Sequence, residues 1–143
     1  MKVEQLSIFL ENKPGRMAEV TKVLADAGIN IRALSLADTS DFGILRLIVN
    51  DTERAADLLK NSGFTVSRTK VVAVQVSDVP GGLNGILQTL SVHGINVEYM
   101  YAFVQCGGQN ATMIFRFDKT DEAIGFLMKE GIPVLAAADI NGR

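Results

Sequence analysis

The chain is written twice. Pro14-Gly15 recurs as Pro80-Gly81, 66 residues further on, and the same offset carries Met17 onto Leu83, Val20 onto Ile86, Leu24 onto Leu90 and Gly28-Ile29-Asn30 onto Gly94-Ile95-Asn96. Two residues are then inserted around Gln105 to Asn110. Beyond them an offset of 68 sets Leu45, Leu47 and Val49 over Met113, Phe115 and Phe117, Ala55 over Ala123, and Gly63 over Gly131. Self-similarity over so long a period means two copies of one folded unit. The expected division is residues 1–70 and 71–143, and each half is short enough that packing on the other is expected to stabilise it.

Inside each copy the hydrophobic period changes from two to about three and a half and back. Leu6, Ile8 and Leu10 alternate with Ser7, Phe9 and Glu11, the pattern of a strand with one buried face. Pro14 then opens a helix in which Met17, Val20, Leu24 and Ala27 recur at three- and four-residue steps, and Gly28 ends it. A hairpin follows, Ile31 to Ala37 and Ile44 to Val49, turned through Asp38-Thr39-Ser40-Asp41. A second helix begins near Asp51-Thr52 and stops at Gly63, and a last strand starts at Phe64. The second copy repeats the order with Val72–Val76, Leu83–Val92, Val97–Phe103, Met113–Phe117, Ala123–Met128 and Val134–Ala138. No Gly/Ser/Pro linker separates the halves, so the last strand of one runs almost directly into the first strand of the next. The predicted fold is α+β: two ferredoxin-like βαββαβ units in tandem, each an antiparallel sheet with its helices on one face.

Charge narrows the partners. The net charge is −2, with ten basic and nine acidic residues up to Lys70 and four and seven after it. Neither half carries the basic footprint that a phosphate backbone requires, so nucleic acid is not an expected ligand. No apolar run approaches the roughly 18 residues of a membrane span, and MKVEQLSIFL is too polar for a signal peptide. A cytoplasmic location is expected, with no membrane partner. The single cysteine, Cys106, sits in a glycine-rich loop and reads as incidental. His93 falls in the last turn of a helix, where a cation is favoured, with no second histidine to share a metal. No nucleophile–base–acid set, Walker loop or dinucleotide fingerprint is present, so neither catalytic residue nor metal nor cofactor is expected, and the chain does not read as an enzyme.

Two segments stand out, ENKPGRMAEVTKVLADAGINI and VSDVPGGLNGILQTLSVHGINV. Each joins a strand to a helix through a Pro-Gly turn and returns to a strand through Gly-Ile-Asn. Both segments resemble the strand–turn–helix of the ACT domain, a module that binds amino acids, and the resemblance implies such a ligand. A free amino acid has a carboxylate beside an ammonium, so its site needs backbone donors, an oxygen acceptor and a pocket for the side chain. The helix N–H groups behind Pro14-Gly15 and Pro80-Gly81-Gly82 suit the carboxylate, and a glycine without Cβ lets a ligand approach the main chain. Asn12 and Asn30, and in the second copy Asp78 and Asn96, are the candidate acceptors; an amide bridges both charged groups without bringing a charge of its own. Arg16 completes the first turn. A purely structural reading stands beside this one: Asn12 and Asp78 turn the chain, and Asn30 and Asn96 follow a helix cap with an unusual backbone angle. Tyr99 and Tyr101, two apart on one strand, either pack at an interface or line the side-chain pocket.

Over nearly the whole chain both halves resemble the ACT domain, a small regulatory module, and the arrangement is similar to stand-alone tandem ACT proteins. The resemblance implies an amino acid held between two domains, gripped by the turn of one and the strand-opening Asn of the other: Asn12 and Gly15 with Asn96, Asp78 and Gly81 with Asn30. Asp78 departs from the pattern and would hold an ammonium more strongly than a carboxylate. The expected function is an amino-acid-binding allosteric sensor, homodimeric through its open sheet edges and faces, read by a separate metabolic enzyme. The alternative is a constitutive regulatory subunit whose ligand sites are degenerate.

Overall fold

The computed structural model describes residues 2–38, 41–102 and 110–141. Residues Glu4–Thr69 form one compact unit and Lys70–Ile140 another. The first contains β1 (Val3–Glu11), α1 (Arg16–Asp26), β2 (Ile31–Asp38), β3 (Phe42–Val49), α2 (Thr52–Asn61) and the start of β4 (Thr65–Ser77). The second continues along β4 into α3 (Gly82–Val92), β5 (Val97–Ala102), β6 (Asn110–Phe117), α4 (Thr120–Lys129), β7 (Val134–Leu135) and α5 (Ala137–Asn141). Thr39-Ser40, Phe103 and Cys106 lie outside the described residues.

The first unit orders its strands β2-β3-β1-β4 and the second β5-β6-β4-β7, which is one topology twice. In the first, Leu6, Ile8 and Leu10 face the helices from β1, opposite Leu47, Leu45 and Gly43 of β3, and Val20, Leu24, Ala55 and Leu59 meet them from α1 and α2. In the second, Val72, Val74 and Val76 lie opposite Phe115, Met113 and Ala111, under Ile86, Leu90, Ala123 and Leu127. Alternation on the strands and three-to-four spacing on the helices thus converge on one core per unit, and each fully buried Leu or Ile contributes about 1.5–3 kcal/mol.

The sequence reading placed three boundaries differently. The last strand, expected over Val134–Ala138, stops at Leu135, and α5 takes the alanines: Asp139 accepts a hydrogen bond from the Ala136 N–H at 3.1 Å and donates its own N–H to the Ala136 carbonyl at 3.0 Å. Three successive alanines favour that turn over a strand. Pro14 does not open the first helix. It precedes Gly15, the N-cap, and α1 starts at Arg16. The strands expected at Phe64 onward and Val72–Val76 are one continuous β4.

Candidate functional site

The Pro-Gly turns are built identically. Gly15 has φ 91° and ψ −17°, Gly81 φ 85° and ψ −8°, and each follows a proline. The Arg16 N–H donates to the Lys13 carbonyl (3.5 Å) and the Gly82 N–H to the Val79 carbonyl (3.0 Å). These are type II turns, whose third residue needs a positive φ that only glycine adopts without strain. A Cβ on Gly15 or Gly81 would meet nothing within 4 Å, so these glycines serve the turn's dihedral angle rather than clearance for a ligand. Gly82 is glycine for another reason: a Cβ there would lie 2.1 Å from the Ser77 carbonyl oxygen, so the chain itself takes up that space.

The turn leaves donors behind it. The N–H groups opening a helix have no intrahelical acceptor, and a glycine N-cap has no side chain to offer one; neither α1 nor α3 has a side-chain cap, whereas Asp51 caps α2 by accepting from the Arg54 N–H at 3.3 Å. The Gly15 and Gly81 carbonyls start the helices by accepting from Glu19 and Gly85, both at 3.0 Å. Asn12, Pro14 and Gly15 are exposed around the first set of donors, as are Asp78, Pro80 and Gly81 around the second.

Within one unit the predicted residues do not converge. Asn30 lies past the far end of α1, an 11-residue helix that spans roughly 16 Å at 1.5 Å per residue. Asn12 and Asn30 therefore stand at opposite ends of their unit, as do Asp78 and Asn96, and one unit alone cannot close both groups around one amino acid. The two strand-opening asparagines are held alike: the Asn30 N–H donates to Asn50 Oδ1 (3.0 Å) and its carbonyl accepts from the Asn50 N–H (3.2 Å), while Asn96 makes the same pair with Asp118 at 2.9 and 3.2 Å. Neither has a positive φ, which removes the unusual backbone angle as their reason for being asparagine. Both residues are exposed.

Beside the first turn is a pocket of about 60 Å³. Leu10, Met17 and Leu36 give it an apolar floor, and Asn12, Lys13 and Arg16 a polar rim. The sequence reading missed the floor. Leu36 sits on the core-facing side of β2, opposite Leu45, yet is 52% exposed because β2 is an edge strand; an alternating Leu reads as core until the strand order is known. Arg16 lies over the Phe64 ring (5.0 Å to the centroid), and its Nη1 donates to Glu19 Oε2 at 2.6 Å. Its Nε is buried and has no hydrogen-bond partner.

His93 caps α3, stacks on Phe126 with centroids 3.8 Å apart, and places Nδ1 2.8 Å from the Thr89 carbonyl, a packing role. Tyr101 is buried opposite Ile114, and Tyr99 is half-buried opposite Arg116. Among the described residues no group of three or more His, Cys, Asp or Glu is placed to hold a metal, and no helix is long and apolar enough to cross a membrane.

Residues 1–141 match the family described as an ACT domain pair, and the chain belongs to that family. Its structure is similar to protein BT0572 from Bacteroides thetaiotaomicron (43% identity, 100% of this chain and 98% of that one, TM-score 0.94). It also shares the fold of the regulatory subunits of aspartate kinase from Thermus thermophilus (16% identity, 88% and 91% covered, TM-score 0.66) and Thermus flavus (15%, 88% and 90%, 0.62). No curated protein matches the sequence. ACT domains are regulatory, ligand-binding domains, and this chain is a regulatory protein of that kind.

Proposed function

We propose that the protein is a non-enzymatic allosteric sensor of a free amino acid, with residues 1–70 and 71–143 as its two ACT domains. The observation that carries this reading is the uncapped helix N-terminus behind a type II Pro-Gly turn, present twice, and in the first unit set beside an apolar-floored pocket. The ligand carboxylate takes the first-turn N–H groups of α1 and the side chain enters over Leu10, Met17 and Leu36. The Arg16 side chain stands on the polar rim of the same pocket. Because each unit keeps its turn and its asparagine at opposite ends, the ammonium acceptor comes from another ACT unit. The pairs implied by the family resemblance are Asn12 and Gly15 with Asn96, and Asp78 and Gly81 with Asn30.

Binding then changes the affinity of the protein for a partner by favouring one of two states, and the partner is a separate metabolic enzyme. The protein acts in the cytoplasm as a homodimer. A thermal-shift screen against the twenty amino acids tests the reading, since a ligand that binds only the folded state raises the melting temperature by mass action. A rise with one or a few amino acids, abolished in Asn12→Ala, is expected; indifference to all twenty at millimolar concentration would reject it.

One observation favours the second reading, a constitutive regulatory subunit. Phe9 is 50% exposed on the sheet face away from the helices and packs against Phe42 with the rings tilted and their centroids 5.2 Å apart, an apolar surface suited to protein docking. Tight co-purification with an enzyme, together with indifference to amino acids, would favour it.

A further inference from the structure

The second unit contains a cleft of about 330 Å³ whose lining does not include Asp78. Ser77 at the end of β4, Gly82 and Gly85 on α3, and Gly131, Ile132 and Pro133 between α4 and β7 surround it. The offsets between the two copies carry Ser77, Gly82, Gly85 and Ile132 onto Glu11, Arg16, Glu19 and Phe64. In the first unit those four side chains form a cluster. The Arg16 guanidinium lies over the Phe64 ring, donates to Glu19 at 2.6 Å, and has Nη2 4.0 Å from Glu11 Oε1.

The first unit therefore fills this seat from within, using a planar group on an apolar wall. The second has shortened all four positions around the seat at once. Gly82 also could not carry an equivalent plug without moving the helix, because its Cβ would collide with the Ser77 carbonyl. With all four positions short, the ground stays open to solvent: Ser77, Gly85, Gly131 and Pro133 around it are exposed. At about 330 Å³ it falls within the range of small-molecule sites, about 300–1,000 Å³.

The lining selects the occupant. No ionisable side chain is among the residues that line the cleft, so a net charge entering it would be desolvated without a counter-charge. The N–H groups of the three glycines are taken within the chain, by the Val79, Gly81 and Met128 carbonyls at 3.0 Å, so the glycines expose flat peptide faces without a free donor. Gln75 adds an amide, and Ile86, Ile132 and Pro133 add apolar area. We infer that this cleft is a second ligand site, for a small uncharged planar molecule of the heteroaromatic-base or carboxamide class, seated where the first unit holds its own guanidinium.

The test titrates the full chain with adenine, uracil and nicotinamide while following backbone amide resonances. At least one probe is expected to give saturable shifts at Gly82, Gly85 and Gly131. Gly85→Leu, which puts a side chain into the cleft, and Ile132→Phe, which restores the first unit's residue, each weaken that binding about tenfold or more, a loss of about 1.4 kcal/mol. Asn12→Ala leaves it unchanged. No saturable shift at the three glycines with any probe would overturn the inference. So would binding that is undiminished in whichever of the two filled variants folds.

Discussion

The two units share a backbone and differ in what they do with the ground behind the Pro-Gly turn. In the first, Glu11, Arg16, Glu19 and Phe64 knit the helix start to the α2–β4 connection. In the second, Ser77, Gly82, Gly85 and Ile132 stand at the same places and leave a cleft. The turn itself is conformationally the same in both, because each has a proline followed by a glycine at positive φ. Backbone geometry is thus carried by two residues, while the surrounding side chains differ between the copies, three of them within five positions of the turn and the fourth, Phe64 or Ile132, from beyond the second helix of the unit. A repeat of this kind can keep its fold and diversify its sites independently.

Five substitutions break or sharpen that comparison. The largest effect is expected in the cores: Phe115→Ala should cost about 3–5 kcal/mol, since Phe115 is fully buried and stacks on Phe117 at 5.3 Å, and Leu47→Ala at the matching position should cost about 2–5 kcal/mol. Urea denaturation checks both, and a smaller loss at Phe115 than at Leu47 would mean the second core relaxes around the cavity. Next comes Gly82→Ala, whose Cβ has no room beside Ser77 and should cost about 1–3 kcal/mol as an overpacked contact. Arg16→Ala, at the same place in the first copy, should cost only about 0.5–1 kcal/mol, the size of a partly exposed cation–π contact. If the two alanines cost the same, the copies are more alike than their side chains suggest. The smallest change is a gain: Gly85→Ala lies inside α3 with open space around its Cβ and should stabilise by about 0.5–1 kcal/mol, visible as a small upward shift in Tm.

Much of this was legible in the chain. The repeat, the order of elements and the family resemblance rest on Pro14-Gly15, Pro80-Gly81 and the two Gly-Ile-Asn returns, whose backbone requirements are local and therefore visible in sequence. The strand-to-helix change at Ala136–Asp139 was less visible because Val134–Ala138 is a short run that is apolar at every position, which periodicity cannot assign to strand or helix. Leu36 was missed as pocket floor because its exposure depends on β2 being an edge strand, a property of the sheet rather than of the segment. The cleft at Gly82 and Gly85 was hidden for a different reason. Gly82 reads in sequence as clearance for a ligand behind the Pro-Gly turn, and the meaning of Gly82 and Gly85 appears only when the side chains missing from them are compared with those that fill the same volume in the other copy.

The central claim is that an amino acid is gripped by the turn of one ACT unit and the strand-opening Asn of another. Isothermal titration of the whole chain with the amino acid selected in the thermal-shift screen, repeated with Asn12→Ala and with Asn96→Ala, tests it most directly. Saturable binding to the native chain that falls about tenfold or more in both variants, about 1.4 kcal/mol each, is the predicted result. Binding that survives both substitutions unchanged, or that is absent from the native chain, would contradict it.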